Sequence, residues 1–488
     1  MLPVMGEQIK QPNVIFVMPD DAGYGDYSIF GNPIIKTPAV DAFVKQGLLL
    51  TQFHVSPACA PTRAALMLGR HEFRSGVTHT ISPRDRPNIS MTTLAQMLQS
   101  SGYTTGIFGK WHLGDEEAYR PESRGFDEVF IHGTGGIGQH ADAPGNHNDN
   151  PALWHNNRFV QTEGYCTDLF FEQATKWMDE KRQGNQPFFA YITPNAPHAP
   201  HDIPENYYEH YVEALKKNKM NPNFARYCGM VANIDTNFGK LLKQLDQWQM
   251  GDDTIVIFLG SDNGGTTGVS INDAGMKGKK MTPYQGGTRV PFVIRWPDGG
   301  VPAGVECDAL TSIIDMFPTL STISGATLSD ELQKQLEGRN LVPLLEDPKA
   351  AWADRYLVHH VGRWWNGVTA EQSKYINCAI QNSRFTLVDN TELYDLEKDP
   401  GETTNVISEH PEVVSQLRAE YDKWWQATLP MMVNESVKLS GPSPFVELYV
   451  KQYEVIDEQR QRRIDGRRNA NAVQRQIDIV RKSKGEAK

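Results

Sequence analysis

The chain has few cysteines and no long hydrophobic run, and both absences restrict the classes of protein to which it can belong. Only five cysteines occur in 488 residues, none of them lies in a CxxC pair, and the odd count leaves at least one thiol unpaired. This pattern argues against a disulfide-stabilised scaffold. No apolar stretch approaches the roughly 20 residues that a transmembrane helix needs, so we expect a soluble protein without a membrane partner.

Basic residues are also in deficit. The 48 Lys and Arg residues against 59 Asp and Glu give a net charge of −11. This charge argues against a nucleic-acid-binding surface, although it allows a local basic pocket for a small anion. The first residues lack the basic and apolar segments of a signal peptide. A cytoplasmic protein and an exported one whose signal has been removed both fit that beginning.

Continuous apolar runs rich in β-branched residues indicate strands buried on both faces, as in a parallel sheet. Such runs occupy residues 14–18, 104–108, 188–193, 254–259 and 291–295. Helical patterns lie between them, over residues 39–45, 94–98, 168–179, 225–245 and 313–323. The alternation predicts a doubly wound α/β domain over residues 1–345.

The remainder of the chain has a different sequence pattern. Short strand patterns at 355–361 and 384–388, with a helical pattern at 412–428, predict a smaller α+β subdomain over residues 346–450. Residues 451–488 form a charged tail, for which we predict a helix that is solvated or docked on a partner. A homo-oligomer is one arrangement that such a tail allows.

Polar residues gather directly after four of the predicted strands. In chain order they are Asp20 and Asp21, Lys110 and His112, His198 and His201, and Asp262 and Asn263. Because the carboxyl ends of parallel strands meet at one edge of a sheet, these side chains are expected to line one site. Three carboxylates and one amide form an all-oxygen ligand set, which suits calcium or magnesium better than zinc.

Cys59 stands at the expected start of a helix, in the segment Cys59-Ala60-Pro61-Thr62-Arg63. The positive end of a helix lowers the pKa of a thiol and attracts anions. A lone cysteine is otherwise most often a small buried hydrophobic residue, but the five-residue context favours a chemical role.

With this segment, the chain resembles the formylglycine-dependent type I sulfatases of the alkaline-phosphatase superfamily, including bacterial carbohydrate sulfatases and arylsulfatases. Their signature is Cys-x-Pro-x-Arg, which Cys59 to Arg63 match. Further blocks resemble the family in family order, at residues 12–77, 109–114, 187–198, 260–265, 284–297 and 392–402. The resemblance implies an alkaline-phosphatase-like fold and a sulfuric ester hydrolase.

The resemblance also implies the nucleophile. A maturation enzyme, as a transient partner, would oxidise Cys59 to Cα-formylglycine, which hydrates to a geminal diol. One hydroxyl would attack sulfur and expel the alcohol, and the other would collapse to the aldehyde and release sulfate. A thiol or a serine has no second hydroxyl, so it would stall as a covalent intermediate.

Other roles carry over residue by residue. The resemblance assigns calcium, or magnesium, to Asp20, Asp21, Asp262 and Asn263. Arg63 would steady the modified residue and the metal site. Lys110 and His112 would lie near the nucleophile, with the histidine as proton acceptor in diol collapse, and His198 is the candidate general acid.

The assignment of the sulfate-binding lysine depends on a less exact match to the family pattern. The family pattern Lys-Gly-Thr-x-Tyr-Glu-Gly-Gly appears here as Lys280-Met-Thr-Pro-Tyr-Gln-Gly-Gly287, so Met281 replaces a glycine and Gln285 a glutamate. Alignment on the tyrosine assigns the role to Lys280 rather than Lys279. Candidate substrate-binding residues, each of which has a plain loop or packing alternative, are His201, His140, Arg363 and Trp364.

These features predict a hydrolase of sulfated carbohydrates. One alternative is a phosphoester or phosphonate monoester hydrolase of the same superfamily, and another is a catalytically dead protein that binds sulfated glycans. Sulfated glycans are too large to enter cells intact, so we expect a periplasmic or secreted enzyme.

Overall fold

The structure is a computed structural model that describes residues 11–184, 186–362, 364, 368–434 and 439–483. Its strands are β1 (Asn13–Val17), β2 (Leu48–Leu50), β3 (Phe53–His54), β4 (Thr104–Lys110), β5 (Glu128–His132), β6 (Ala152–His155), β7 (Arg158–Gln161), β8 (Phe188–Thr193), β9 (Thr254–Leu259), β10 (Phe292–Arg295), β11 (Val305–Cys307), β12 (Thr311–Ser312), β13 (Leu357–His360), β14 (Cys378–Gln381), β15 (Phe385–Val388) and β16 (Glu392–Asp395).

The α-helices are α1 (Pro38–Gln46), α2 (Cys59–Leu68), α3 (Leu94–Ser100), α4 (Cys166–Lys181), α5 (Glu209–Lys217), α6 (Ala225–Gln247), α7 (Gln285–Thr288), α8 (Met316–Ile323), α9 (Asp330–Gln335), α10 (Val342–Glu346), α11 (Pro411–Thr428), α12 (Pro444–Gln452), α13 (Glu458–Asp465) and α14 (Ala470–Ser483). No helix in the described ranges combines the length and the apolar character needed to cross a bilayer. All five cysteines are buried free thiols.

A ten-stranded sheet forms the centre of the molecule, in the order β11-β2-β10-β9-β1-β8-β4-β5-β6-β7. The five strands from β9 to β5 run parallel to one another, as the apolar runs predict. The predicted strand at 291–295 forms as β10 but pairs antiparallel with β9. The predicted α/β fold is confirmed, with antiparallel strands on both flanks of the parallel centre.

Two cores cover the faces of this sheet. In β1, Val14 and Phe16 point to one core and Ile15 and Val17 to the other, and all four are at most 1% exposed. Helices α2, α3 and α8 contribute to the first core, and α4 and α6 to the second. Burial on both faces explains why the central strands are continuously apolar.

A second sheet, β13-β14-β15-β16, is antiparallel and packs against α11. It is joined to the large domain by the buried carboxylate of Glu402, which accepts a hydrogen bond from the backbone N–H of Gln285 at 2.8 Å. The domain limits at residues 345 and 450 stay a prediction.

The C-terminal helices pack against the edge of the large sheet. In α12, the ring of Phe445 stacks on Trp154 of β6, with centroids 5.3 Å apart. Helices α13 and α14 cover the other side of α12 through a buried aliphatic cluster that includes Val446, Ile464 and Ile477. The charged tail is therefore docked on its own chain over the described residues.

Candidate active site

The polar residues that follow the central strands converge at one edge of the large sheet. The loops after β1 and β9 are joined by a hydrogen bond from Asp262 N to the carbonyl of Pro19 at 3.2 Å, and the loops after β1 and β8 by one from Asp20 N to the carbonyl of Ala196 at 3.0 Å. β4 ends at Lys110 itself. This edge therefore holds the side chains that the sequence places after separate strands.

Asp20 and Lys110 form a fully buried ion pair, with Nζ 2.7 Å from Oδ2. Burial raises the pKa of Asp20 well above its ordinary value, and the nearby Asp262 carboxylate raises it further, while Lys110 lowers it. The carboxylate thus stands in a site where additional positive charge is favourable.

Arg63 links helix α2 to the loop after β9. Its Nε donates to Asp262 Oδ2 at 2.9 Å, Nη2 lies 2.7 Å from the same oxygen, and Nη1 donates to the carbonyl of Lys110 at 2.6 Å. Burial alone would raise the pKa of Asp262, but the Arg63 guanidinium and then Lys110 outweigh it, so the pKa falls below its ordinary value. Asp262 is held ionised.

Cys59 is the first residue of α2, so the helix begins at the cysteine, with Pro61 in its first turn. Its side chain is 2% exposed, and Lys280 Nζ lies 4.0 Å from its Sγ. The Sγ atom and one carboxylate oxygen each of Asp20 and Asp262 all lie within 4.8 Å of one another. The cysteine is therefore in the middle of the charged cluster.

Lys280 also contacts Asp21, whose Oδ1 accepts hydrogen bonds from Lys280 Nζ and from Asn263 Nδ2, the latter at 3.0 Å. The other oxygen, Oδ2, lies 3.8 Å from His198 Nε2. Burial alone would raise the pKa of Asp21, but the charge of Lys280, together with its hydrogen bond to the carboxylate, brings it below its ordinary value. Asp21 has a left-handed backbone, with φ +74°, a conformation that costs energy outside glycine.

The turn that carries Lys280 shows why the family pattern has glycine at a position where this chain departs from it. Met281 stands where the pattern has glycine, and its φ is +67°, in the left-handed region that favours glycine. Its N–H donates to the carbonyl of Pro57 at 2.8 Å, and the N–H of Lys280 donates to Gly265 at 3.0 Å. The turn thus joins the Cys59 loop to the Asp262 loop, and it leaves Lys279 exposed.

Two histidines flank the cluster as neutral imidazoles. Burial lowers the pKa of His112 to about 3, and its Nε2 lies 3.1 Å from the carbonyl of Thr80 while its buried Nδ1 has no hydrogen-bond partner. Burial also lowers the pKa of His198 to about 4, and its Nδ1 lies 2.6 Å from the carbonyl of Ala199. Donation to these carbonyls leaves His112 Nδ1 and His198 Nε2 as the free nitrogens.

The candidate substrate-binding residues are less closely grouped. His201 is half-buried, with its ring 5.2 Å from that of Tyr227. The Arg84 guanidinium lies 4.3 Å from the ring centroid of Trp364, so this indole is already stacked within the protein. His140 is exposed, and its carbonyl accepts a hydrogen bond from the C-terminal helix α14. Arg363 lies outside the described residues.

Sequence reasoning missed a buried support beneath the metal-ligand candidates. Tyr227 donates from its hydroxyl to Asp26 Oδ2 at 2.6 Å, and the N–H of Gly23 donates to the same oxygen at 2.5 Å. Burial raises the pKa of Asp26 to about 6. The tyrosine and the aspartate are 201 residues apart, so no local sequence signal marks the pair.

Three oxygens in the cluster are suited to a bound cation. The Oδ1 atoms of Asp20, Asp262 and Asn263 are buried and accept no hydrogen bond. Leaving buried acceptors without a partner is costly, and a cation that prefers oxygen ligands satisfies them. The residues present therefore fit calcium or magnesium.

Comparison with known proteins agrees with this chemistry. A family model described as Sulfatase matches residues 12–326, and one described as "N-sulphoglucosamine sulphohydrolase, C-terminal" matches residues 275–426. N-acetylgalactosamine-6-sulfatase of Mus musculus is 30% identical over 434 residues, which cover 83% of this chain and 79% of the mouse protein. The protein of that name from Homo sapiens is 29% identical over 478 residues, with coverage of 86% and 87%.

Solved structures share the same architecture. The crystal structure of Ps i-CgsB in complex with k-i-k-neocarrahexaose has a TM-score of 0.74 and 28% identity, and covers 85% of this chain and 93% of that one. Phosphonate monoester hydrolase of Agrobacterium radiobacter, at 22% identity and a TM-score of 0.61 over 86% and 96% of the two chains, shows the fold alone. Because the Sulfatase model matches well over half of the residues, the chain belongs to the sulfatase family and is a sulfuric ester hydrolase.

Proposed function

We propose that this enzyme removes sulfate from sulfated carbohydrates, with a formylglycine derived from Cys59 as nucleophile and calcium as its metal. The observation that carries the proposal is the buried cluster in which the Cys59 side chain lies among Asp20, Asp262 and Lys280. A nucleophile precursor, an oxygen ligand set and a cation that can pair with sulfate meet there within a few ångströms.

We assign the metal to the free oxygens of Asp20, Asp262 and Asn263, with Asp21 as the fourth ligand residue. Calcium suits this set because all the donors are oxygens; magnesium fits the same chemistry. When bound, the cation supplies positive charge that offsets the negative charge of the sulfuryl group and favours the ionised nucleophile. Arg63 and Lys110 keep two of the carboxylates in place from the protein side.

The side chain at position 59 supplies the nucleophile once a maturation enzyme has oxidised its CH2SH group to an aldehyde, with loss of the sulfur. In the hydrated aldehyde, one hydroxyl would attack sulfur and expel the alcohol, and the second would lose its proton to re-form the aldehyde and release sulfate. Lys280 lies between this side chain and Asp21. Burial alone would lower the pKa of Lys280, but the charge of Asp21 outweighs it and holds the pKa above the ordinary value. It is therefore a permanent cation for a sulfuryl oxygen. A transient maturation enzyme is the implied partner.

The two histidines differ in their free nitrogens, which supports different roles. His112 presents a buried, unpartnered Nδ1, which suits a base that accepts the proton of the second hydroxyl. His198 directs Nε2 toward the Asp21 side of the site, where it can donate a proton to the departing oxygen. An incoming anion adds negative charge beside this imidazole and so raises its pKa, which favours the protonated form.

The carbohydrate substrate class rests on the relatives. The mouse and human relatives are named N-acetylgalactosamine-6-sulfatase, and Ps i-CgsB was crystallised in complex with k-i-k-neocarrahexaose. Polymeric sulfated substrates reach only exported enzymes intact, so a periplasmic or secreted location accompanies the proposal.

The test compares matched esters on the metal-loaded, matured enzyme. We expect turnover of 4-nitrophenyl sulfate, a much lower kcat/KM for 4-nitrophenyl phosphate, and release of sulfate from N-acetylgalactosamine 6-sulfate or from a carrageenan oligosaccharide. A higher kcat/KM for the phosphate or for a phosphonate monoester would transfer the assignment to that chemistry. Binding of sulfated saccharides without any turnover, with Cys59 unmodified, would identify a dead binding protein.

A further inference from the structure

The loop over residues 133–147 forms a wall of the active site. Its backbone is so close to His112 that a methyl group at Gly135 would lie 2.7 Å from the imidazole Cε1 and Nε2 atoms. A methyl group at Gly136 would lie 3.5 Å from His198 Nδ1. The bare backbone of the 133–147 loop therefore packs against His112 and lies about one methyl group away from His198, the two histidines to which we assign proton transfer.

Asp142 organises the 133–147 loop from within. Its Oδ1 accepts from the N–H of Gly133 at 2.9 Å, and its Oδ2 accepts from the N–H of Gly138 at 2.8 Å and from Asn146 Nδ2 at 2.9 Å. No helix or strand of the structure includes residues 133–147. The conformation of the loop thus depends on side-chain contacts.

Two arginines of the C-terminal segment hold the loop from outside. Arg467 donates through Nη1 to the carbonyl of Gly138 and through Nη2 to the carbonyl of Asn146, the latter at 2.6 Å. Arg460, which is 4% exposed, donates through Nη1 to the carbonyl of Pro144 at 3.0 Å. These bonds satisfy loop carbonyls that lie outside any regular element, and they span more than 300 residues of sequence.

The two arginines belong to the C-terminal helical segment, which packs against the edge of the large sheet. Arg460 lies in α13, and Arg467 follows it in the turn before α14. Both helices pack on α12 through the buried aliphatic cluster that includes Val450 and Val473, and α12 lies on the edge strands β6 and β7. The chain of contacts therefore runs from the rigid sheet edge through Arg467 to the loop and then to the two imidazoles.

We propose that Arg467 is a positioning residue for sulfate ester hydrolysis, because it fixes the 133–147 loop against His112 and His198 and thereby fixes the orientation of both rings. The inference rests on the roles given to those histidines under the proposed function. Without the guanidinium, the carbonyls of Gly138 and Asn146 turn to water, and the wall moves away from the rings. Displacement of catalytic groups by about 1 Å costs up to about a hundredfold in rate.

The test compares Arg467→Gln with Arg468→Gln in the full, matured chain. Arg468 is the exposed neighbour, so both variants remove the same charge from the same turn. kcat and KM for 4-nitrophenyl sulfate are measured per converted Cys59, counted by mass spectrometry. We expect Arg467→Gln to lower kcat by roughly ten- to a hundredfold with a much smaller change in KM. Arg467→Lys should recover part of the loss, because an ammonium can still donate to one of the two carbonyls.

Hydrogen exchange of the loop amides provides a second readout. We expect faster exchange across residues 133–147 in Arg467→Gln but not in Arg468→Gln. If Arg467→Gln lowers only the unfolding temperature or the folded yield, with kcat per converted site unchanged, the arginine is merely structural and the inference is wrong. If the wild-type enzyme itself fails to turn over the ester after conversion of Cys59, the proposed function fails instead.

Gly135→Ala tests the contact between the 133–147 loop and His112 and leaves the arginines intact. It can therefore contradict the inference even if Arg467→Gln does not fold. The added methyl would press on the His112 ring. We expect a lower kcat, and a wild-type kcat would contradict the inference.

Discussion

Arg63 and Asp262 join the helix that begins at the candidate nucleophile to the loop that carries two candidate metal ligands. The pair is buried, with Nε 2.9 Å and Nη2 2.7 Å from the same carboxylate oxygen. Because Arg63 also binds the carbonyl of Lys110, one guanidinium connects helix α2, the loop after β9 and the end of β4. The arginine of the signature is thus a structural centre of the site.

We expect Arg63→Ala to lower the free energy of unfolding by about 3–5 kcal/mol, because it leaves the Asp262 carboxylate buried without its partner. Urea unfolding monitored by circular dichroism measures this change. The matched control is Arg462→Ala, whose exposed pair with Glu458 is worth less than about 1 kcal/mol. Equal losses in the two variants would contradict the central structural role of Arg63.

Metal removal tests the ligand assignment. We expect EDTA to abolish turnover and calcium to restore it better than zinc, because Asp20, Asp262 and Asn263 offer oxygen atoms. Calcium at a hundred times its Kd should also stabilise the fold by about 2.7 kcal/mol, seen as a higher Tm. Asn263→Ala should lose most of this calcium-dependent shift. Full activity of metal-free enzyme would show that the assignment is wrong.

The role of His198 is tested by varying the leaving group. We expect His198→Ala to slow sugar sulfates far more than activated aryl sulfates, since a poor leaving group needs protonation and a good one does not. The control is His155→Ala, which removes a half-buried histidine of β6 that pairs with Glu128. This variant should slow neither substrate. Equal slowing of both substrates by His198→Ala would reject its role as general acid.

A buried carboxyl between the two sheets gives the fold a pH dependence. Burial raises the pKa of Glu402 from its ordinary value of 4.5 to about 8. Between pH 4.5 and about pH 8, the folded state therefore retains a proton on Glu402 that the unfolded state has lost. The stability this group contributes is complete below pH 4.5 and is lost as the pH rises toward 8, with a slope of up to about 1.4 kcal/mol per pH unit.

Glu402→Gln should remove that slope, so that urea midpoints of the variant fall less steeply between pH 5 and 8 than those of the parent. The surface variant Glu412→Gln serves as the control, since Glu412 is mostly exposed. An unchanged slope in Glu402→Gln would show that its carboxyl is already ionised in the folded protein.

Sequence reasoning reached the central strands and the charged cluster because both have local signals. Apolar runs mark strands that are buried on both faces, and polar residues directly after them mark the functional edge of the sheet. The signal for β10 was equally clear, yet its direction was not, since a short apolar run carries no information on whether its neighbours run parallel or antiparallel. The large-sheet fold was therefore predictable, apart from its antiparallel flanks.

Contacts between segments that are distant in sequence could not be predicted from the sequence alone. The carbonyls that Arg467 binds, and the Asp26 carboxylate that Tyr227 binds, lie hundreds of residues from their partners. Basic residues in a polar tail are equally consistent with a solvated helix, so composition could not show that the tail docks on its own chain. Trp364 shows a different limit, because the sequence does not reveal that its ring is stacked with Arg84, and its substrate-binding role stays a prediction.

The proposed function depends on the conversion of Cys59 to formylglycine, which is measured by the mass of the tryptic peptide over residues 46–63. On protein co-expressed with a maturation enzyme, we expect a peptide lighter than the cysteine form by about 18 Da, since CH2SH becomes CHO. The control is a peptide with the same Cys-x-Pro-x-Arg signature, converted in the same cells. If that control is converted while the Cys59 peptide keeps the full cysteine mass, the proposed nucleophile is contradicted.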